Sequence, residues 1–281
     1  MNKNMTDQIC FIGGGNMASS LIGGLISNGY AADKITVTDP DQQKLNQLQQ
    51  QFAVNTATDN TQAIENADVI LLAVKPQMLH PVCASINTRR ASMQNHSPLI
   101  ISIAAGIRST DINRWLGGEN AIVRCMPNTP ALIQAGASGL FANSHTSNAQ
   151  KDIAEQILAS AGITLWVDKE PLLDAVTAVS GSGPAYFFLF MQAMQKAGCD
   201  LGLNEQTARL LTQQTALGAA RMALEGEDDV ATLRAKVTSK GGTTAAAIAS
   251  LENSHFSTII ETALSAARDR AVELADELGK Q

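Results

Sequence analysis

The distribution of proline divides the chain into two parts that can fold in different ways. All eight prolines among the 281 residues occur at or before Pro184, and the 97 residues that follow contain none. Proline breaks interior helical hydrogen bonds, so its absence permits long helices in the second part. Half of the 42 alanines fall in the 112 residues from position 170 onward, where helix propensity favours them. We therefore expect residues 170–281 to form an all-helical domain.

The part before residue 170 alternates β-rich runs with segments of helical periodicity. The strand candidates are residues 9–12, 35–38, 69–74, 99–103, 122–124 and 164–167. Between them, Leu45, Leu48 and Phe52 recur at intervals of three and four residues, which indicates one apolar face of a helix. Strands that alternate with helices predict βαβ units on a parallel sheet. We expect residues 1–169 to form an α/β domain of the doubly wound Rossmann type.

A glycine-rich loop directly follows the first strand candidate. Residues 13–18 read G-G-G-N-M-A and are followed by an apolar helical pattern. In this context Gly13 permits a tight turn, Gly15 lets the backbone approach a pyrophosphate, and Ala18 lets the helix lie close to the strand. The helix N-terminus then supplies free N–H groups and a dipole that favour an anion. The loop predicts a dinucleotide-binding site.

An acidic residue ends the second strand candidate. Asp39 stands 24 residues beyond Gly15, and no lysine or arginine follows it before Lys44. A carboxylate at this place accepts both ribose hydroxyls of NAD, whereas it repels the 2′-phosphate of NADP. We therefore predict that NADH is used at least as well as NADPH. The alternative is that Asp39 only caps the next helix.

Charge, cysteine spacing and hydropathy exclude several classes of protein. The formal charge of −6 argues against nucleic acid or an anionic membrane as a partner. The four cysteines lie far apart without a C-x-x-C pair, so neither a disulfide framework nor a metal site is expected. The longest apolar run, residues 67–74, is interrupted by Asp68 and is far shorter than the roughly 20 residues that span a bilayer. We expect a soluble cytoplasmic protein with a small-molecule substrate.

Several sequence blocks together resemble pyrroline-5-carboxylate reductase. They are FIGGGNMASSLIGGL, AVKPQ, SIAAG, VRCMPNTPALIQAGASGL, AVSGSGPAYFF and VTSKGGTTAAAIASLE, and they extend from Phe11 to Glu252 in the expected order. The resemblance implies NAD(P)H-dependent reduction of the C=N bond of 1-pyrroline-5-carboxylate to L-proline, the last step of proline biosynthesis. It also implies a homodimer with interleaved helical domains, often assembled into a ring of dimers. Lys240 departs from the family pattern, in which many relatives have proline.

The resemblance further implies which residues contact the ligands. Cofactor contacts, to NADPH or NADH, fall on Ile12, Gly13, Gly14, Gly15, Asn16, Met17, Asn60, Ala73, Val74, Lys75, Pro76, Ala104 and Ala105. Substrate contacts fall on Glu227, Ser239, Gly242, Thr243 and Thr244. The resemblance does not decide between NADH and NADPH, because the stretch around Asp39 varies in the family.

The chemistry of an imine fits the scarcity of acid catalysts in this chain. Reducing a ketone needs a positioned acid, but the four histidines, at positions 80, 96, 145 and 255, have no adjacent carboxylate motif. An imine nitrogen can already be protonated, so a hydroxyl such as that of Thr244, or a water, suffices to orient it. The glycines and hydroxyls of residues 239–244 precede a helical run, a position that suits the substrate carboxylate. The alternative is a loop capped by Thr243 or Thr244 without a ligand.

Three features of the chain leave alternatives open. Asn128 either orients the nicotinamide carboxamide or closes an Asx-turn. Tyr186 lies in an aromatic run that we expect to face the core, with a wall of the active site as the alternative. The last helix carries a seam at 4-3-4-3-4 spacing, which packs either within the chain or against a second protomer. Its members are Ile260, Leu264, Ala267, Ala271, Leu274 and Leu278.

Two other functions share parts of this pattern. A β-hydroxyacid dehydrogenase of similar build needs a catalytic lysine on a helix after a glycine-rich turn, and Lys196 is the nearby candidate. No asparagine follows Lys196 at the expected helical spacing. A nucleotide-sensing binding protein would keep the glycine loop but would not turn over a substrate.

Overall fold

The chain packs into two compact units. The structure is a computed structural model that describes residues 6–90 and 97–280, so His96 lies outside the described residues. One unit comprises the described residues of Met1–Ser182 and Ala267–Gln281, and the other is Gly183–Ala266. These units divide the chain at a different place from the boundary expected between residues 169 and 170, which remains a prediction.

The first unit is built on an eight-stranded sheet in the order β3-β2-β1-β4-β5-β6-β7-β8. The β6–β7 pair is antiparallel, and all other neighbouring pairs are parallel. The order of the first six strands is that of a doubly wound dinucleotide-binding fold, which confirms the predicted fold class. The strands are β1 Ile9–Ile12, β2 Ile35–Thr38, β3 Asn55–Ala57, β4 Val69–Leu72, β5 Leu99–Ser102, β6 Ile122–Met126, β7 Gly136–Ala142 and β8 Gly162–Trp166.

Among the described residues of the first unit, the helices α1 to α7 connect and cover these strands. They are α1 Asn16–Ser27, α2 Gln42–Phe52, α3 Asn60–Ala63, α4 Leu79–Arg90, α5 Ser109–Trp115, α6 Asn148–Leu158 and α7 Leu172–Val176, which continues as a π-helical turn over Thr177–Gly181. The remaining helices are α8 Gly183–Asp200, α9 Glu205–Glu225, α10 Val230–Lys236, α11 Thr243–Asn253 and α12 Phe256–Leu278. The described residues from position 170 onward contain no strand, so the all-helical expectation is confirmed for them. Within the described residues, no helix combines the length and the apolar character needed to cross a membrane.

All six predicted strands are present, with ends that differ by up to two residues. The sequence patterns missed β3 and β7. The first is only three residues long and polar, and the second contains two glycines and a serine, which have weak strand propensity. The predicted parallel pairing is found for all neighbouring strands except β6 and β7, because β7 returns antiparallel beside β6.

The central strands β1, β4 and β5 are buried on both faces, as their apolar sequences predict. Along β1, Ile9 and Phe11 belong to one core layer, while Cys10 and Ile12 belong to the layer on the opposite face. Strand β4, predicted to be central, lies between β1 and β5, and all four of its residues are buried. The two layers hold the carboxyl ends of the central strands at one edge of the sheet.

The two halves of the apolar seam in α12 differ in burial. Its final part belongs to the first unit, where Ala271 and Ala275 are buried and Leu278 packs against the core layer that contains Ile12. Gly106, at φ +70°, lies beside this part of the helix, and a Cβ there would be in van der Waals contact with the Leu274 Cβ, at 3.4 Å. By contrast, Ile260 at the start of the seam is 38% exposed. The carboxyl half of the seam therefore packs within the chain, and the amino half keeps an uncovered apolar surface.

Candidate active site

The glycine loop lies across the carboxyl ends of three strands. Gly13 has φ +106°, and a Cβ on it would lie 2.7 Å from the carbonyl oxygen of Ala73 after β4. Its N–H donates to the carbonyl of Thr38 at the end of β2, at 2.7 Å. Only glycine combines this backbone conformation with this close approach. The loop is therefore fixed by β1, β2 and β4 together.

Helix α1 begins at this loop without a side-chain cap. Its N-cap is Gly15, in extended conformation, and apart from its neighbours along the chain no atom of the described residues lies within 4 Å of the place where a Cβ would stand. The N-termini of α2, α6, α9 and α10 are instead capped by side chains, those of Asp41, Ser147, Asn204 and Asp229. Uncapped N–H groups beside open space are the arrangement that binds a phosphate.

Asp39 is held against the glycine loop. Its Oδ2 accepts a hydrogen bond from the N–H of Gly14 at 3.0 Å, and its Oδ1 accepts one from the N–H of Asp41 at 2.9 Å. The residue is 8% exposed. Helix α2 is capped by Asp41, so the alternative in which Asp39 caps it is wrong. The Nζ of Lys44 lies 3.6 Å from Asp39 Oδ1, an ion pair that the sequence did not predict.

The other predicted cofactor residues also follow strand ends of this sheet. Asn60 begins α3 and accepts a hydrogen bond from the Thr38 hydroxyl at 2.6 Å. Ala73, after β4, donates its N–H to the carbonyl of Ile12 at 2.8 Å. Ala104, after β5, is buried. The first unit thus brings the predicted cofactor residues to one edge of its sheet, namely Ile12, Gly13, Gly14, Gly15, Asn16, Met17, Asp39, Asn60, Ala73, Val74, Lys75, Pro76, Ala104 and Ala105.

A second uncapped helix start lies in the other unit. The N-cap of α11 is Gly242, in extended conformation and without a side-chain cap. A Cβ on Gly242 would lie 2.6 Å from the Ser239 hydroxyl oxygen, and the preceding Gly241 has φ +73°. Because the helix begins at Thr243, the alternative of a cap formed by Thr243 or Thr244 is wrong. The Thr244 side chain is half-buried in the first turn.

Glu227 is exposed in the turn between α9 and α10. The two carboxylates after it have structural partners, since Asp228 pairs with Lys236 at 2.5 Å and Asp229 caps α10. Within the same unit an ion pair at 3.3 Å links Arg234 of α10 to Glu252 of α11.

Asn128 has a structural role that neither alternative described. Its Nδ2 donates to the carbonyl of Ser180 at 3.0 Å, and its Oδ1 accepts from the N–H of Ala137 at 2.9 Å. The side chain therefore ties the loop after β6 both to β7 and to the π-helical turn. These partners are 9 and 52 residues away, beyond the reach of any local sequence pattern.

The aromatic run in α8 is largely exposed. Phe187 and Phe188 are 67% and 64% exposed, so the expectation of core packing is wrong for them. Tyr186 is half-buried, and its hydroxyl is shielded from solvent without a hydrogen-bond partner among the described residues. Among the described residues, no element covers the side chains of Phe187 and Phe188.

A buried ionic network, also missed from sequence, anchors the segment that leads into α7. The Nη1 of Arg124 lies 2.7 Å from Glu170 Oε1, and Glu170 also accepts from the N–H and hydroxyl of Ser109, at 2.5 and 2.8 Å. Beside it, Arg108 binds both carboxylate oxygens of Asp174, at 3.2 and 2.8 Å. Burial lowers the pKa of the Arg124 guanidinium, and the Glu170 carboxylate opposes that shift. The network fixes residues 170–174 to β6 and α5.

Comparison with known proteins decides the family. A Pseudomonas aeruginosa protein named pyrroline-5-carboxylate reductase is 51% identical, over 98% of this chain and 99% of its own length. The chain belongs to the pyrroline-5-carboxylate reductase family. A family model described as pyrroline-5-carboxylate reductase dimerisation matches residues 170–274, and one described as coenzyme F420-dependent NADP oxidoreductase matches residues 8–106. The resemblance found in the sequence is thereby confirmed.

Solved structures of this family share the whole fold. A pyrroline-5-carboxylate reductase from Coxiella burnetii is 47% identical with a TM-score of 0.92, and the match covers 96% of this chain and 99% of that one. The Plasmodium falciparum pyrroline carboxylate reductase, solved with NADP bound, is 29% identical with a TM-score of 0.83, over 96% and 98% of the two chains. The chain therefore carries the family's dinucleotide-binding and dimerisation parts.

Proposed function

We propose that this chain reduces the C=N bond of 1-pyrroline-5-carboxylate to L-proline with NAD(P)H, the last step of proline biosynthesis. The observation that carries the proposal is the 51% identity to a reductase of this name over nearly the full length of both chains. The uncapped glycine loop supports it, since a reductase of this kind needs a phosphate-binding helix start for its cofactor.

The residues of the first unit fit a nicotinamide dinucleotide. The open space at Gly15 and the uncapped N–H groups of α1 accommodate the pyrophosphate. The turns after β4 and β5 lie at the same edge of the sheet as the glycine loop. When bound, NAD(P)H supplies the hydride for the reaction. Asn16, Met17, the turn from Ala73 to Pro76 and the Ala104-Ala105 pair hold the dinucleotide in this proposal. The protein's contribution is chiefly to position the cofactor.

Asp39 selects the ribose. Its carboxylate is buried against the loop and is fixed by two backbone N–H groups, so it presents negative charge where the adenosine ribose would lie. This arrangement favours the free hydroxyls of NADH over a 2′-phosphate. Lys44 offsets part of the negative charge, so NADPH remains usable.

The loop before α11 binds the substrate carboxylate. The uncapped first turn of α11 offers N–H groups to an anion, and Ser239, Thr243 and Thr244 add hydroxyl donors. Thr244 orients the ring nitrogen, which is already protonated and needs no strong acid. Gly242 keeps the backbone within reach, and Glu227 completes the substrate contacts.

The chain acts as a homodimer with interleaved helical domains, which can assemble into a ring of dimers. The dimerisation match and the exposed aromatic run of α8 support the dimer. Apolar surface of this extent in a helical unit is typical of an interface. The small-molecule substrate is the other partner, and neither nucleic acid nor a membrane is expected.

One assay separates this proposal from its rivals. Purified chain should oxidise NADH or NADPH in the presence of pyrroline-5-carboxylate and form proline in equal amount. Turnover of 3-hydroxyacids instead would identify a β-hydroxyacid dehydrogenase. Against that rival, the side chain of Lys196 is 77% exposed and pairs with Asp200 at 2.7 Å, a setting typical of a surface lysine. Cofactor binding without turnover of either substrate would identify a nucleotide sensor.

A further inference from the structure

The last strand of the sheet has one covered face and one bare face. Strand β8 forms the edge beyond β7, and its residues alternate between the two faces. Thr164 and Trp166 point to the face on which α6 lies, because both side chains hydrogen-bond to Glu155 of that helix, at 3.4 and 3.1 Å. The α6 layer therefore covers one face of the strand.

Ile163 and Leu165 point to the opposite face and remain uncovered. They are 59% and 63% exposed, although both are large apolar residues. Leu165 is in register with Gly139 of β7. Val176 of α7 packs over Gly139, since a Cβ on that glycine would lie 2.6 Å from the Val176 side chain. Helix α7 thus covers β7 on this face, and the cover stops before β8.

This face has the composition of a buried surface. Strands paired in parallel normally have both faces covered. Exposed edge strands usually carry charged residues, prolines or bulges that prevent association. The described β8 has no charged residue and no proline, and its bare face presents isoleucine and leucine. A strand of this kind is suited to contact with another molecule.

We propose that a second copy of this chain covers the face of β8 formed by Ile163 and Leu165. The segment matched by the dimerisation model begins at Glu170, four residues after Trp166, and includes the helix α7 that borders the bare face. The apolar surface continues along the chain into that segment, where Leu172 and Val179 are 47% and 62% exposed. The dimer interface therefore extends beyond the helical domain onto the sheet.

Two-fold symmetry makes this contact occur twice in each dimer. Every change at the face is then felt at two equivalent places. The proposal rests on the dimerisation of this family and does not depend on the reaction that the chain catalyses. Failure of the reductase assay would leave it standing, and an unaltered dimer in the tests below would overturn it while leaving the reductase proposal standing.

The first test is the dimer dissociation constant of the full chain, measured by analytical ultracentrifugation over a dilution series. Leu165→Lys, and the double variant with Ile163→Lys, should raise that constant at least tenfold, because each places an unpaired charge in the contact. Both sites are exposed in the single chain, so the sheet should still fold, which circular dichroism checks. Ile133→Lys is the matched control, since Ile133 is 78% exposed and lies outside this face. An unchanged constant in the double variant would overturn the proposal.

The second test identifies the occupant directly. A photoreactive amino acid is placed at position 165, and a refolded mixture of isotope-labelled and unlabelled chains is irradiated. Mass spectrometry should find mixed-isotope cross-linked peptides, which join two chains. Cross-links confined to a single chain would show that the chain's own helices cover the face and would overturn the proposal. The absence of any cross-link to protein, at concentrations where the dimer is present, would overturn it as well.

Discussion

Replacing Asp39 with asparagine should move the cofactor preference towards NADPH by about tenfold. A carboxylate and a phosphate charge about 4 Å apart repel by about 4 kcal/mol at the effective dielectric constant of about 20 typical near a protein surface. Lys44, 3.6 Å from Asp39, offsets much of this repulsion, and salt screens the remainder. We therefore expect the net repulsion between Asp39 and the 2′-phosphate to be about 1.4 kcal/mol, which corresponds to a factor of about ten in the ratio of kcat/KM for the two cofactors.

The measurement is the ratio of kcat/KM for NADH to that for NADPH. Asparagine also disturbs the loop. Asp39 accepts hydrogen bonds from the N–H groups of Gly14 and Asp41, and the NH₂ group of an asparagine would have to face one of these two donors. This damage affects both cofactors, so it cancels in the ratio. Lys44→Gln is the matched control of opposite sign, since it removes the positive charge and should raise the NADH to NADPH ratio. A wild-type chain with a much larger kcat/KM for NADPH, or an Asp39→Asn variant with an unaltered ratio, would refute the reasoning.

Three further predictions concern the substrate loop, the ionic network and the thiols. Thr244→Ala should lower kcat/KM by about 10- to 1000-fold, as for one lost transition-state contact; unchanged kinetics in the folded variant would remove Thr244 from the mechanism. Glu170→Ala should lower the free energy of unfolding, measured in urea, by about 3 kcal/mol, because Arg124 would stay buried without its partner. The control is Glu225→Ala in the exposed pair with Arg221, which should lower the free energy of unfolding by less than about 1 kcal/mol. Burial raises the thiol pKa to about 12 at Cys10, Cys83 and Cys125, so a thiol reagent at pH 8 should modify the folded chain only at Cys199; modification of the three buried thiols before unfolding would contradict this. The free energy of unfolding should also fall as pH rises from about 9 towards 12, because these thiols ionise first in the unfolded chain.

Local patterns predicted those parts of the fold that local physics decides. Apolar runs bounded by turns located six of the eight strands, and central strands such as β4 are apolar throughout because they are buried on both faces. Strand β7 escaped notice because glycine and serine at its core positions serve close packing rather than strand propensity. Gly139, for example, leaves space that Val176 of α7 fills. That requirement exists only once α7 and β7 are side by side.

The candidate site divides in the same way. The glycine loop and the start of α11 were predicted because backbone conformation and an uncapped helix start are encoded within a few residues. By contrast, Arg124 pairs with Glu170, 46 positions away, and no local sequence pattern around either residue predicts this pairing. The aromatic run of α8 was expected to face the core, but Phe187 and Phe188 are exposed, because apolar character alone does not tell which elements the fold places beside a residue.

The return of α12 to the first unit has a consequence for biosynthesis. All strands of the sheet have been made when β8 leaves the ribosome, whereas Leu274 and Leu278, which pack in the same unit, are made much later. Until then a nascent chain would expose part of its core beside the loop after β5. A chain cut short before the last helix would lose this cover permanently, although every strand would be intact. The packing of the sheet unit beside Gly106 is therefore complete only after α12 has been made.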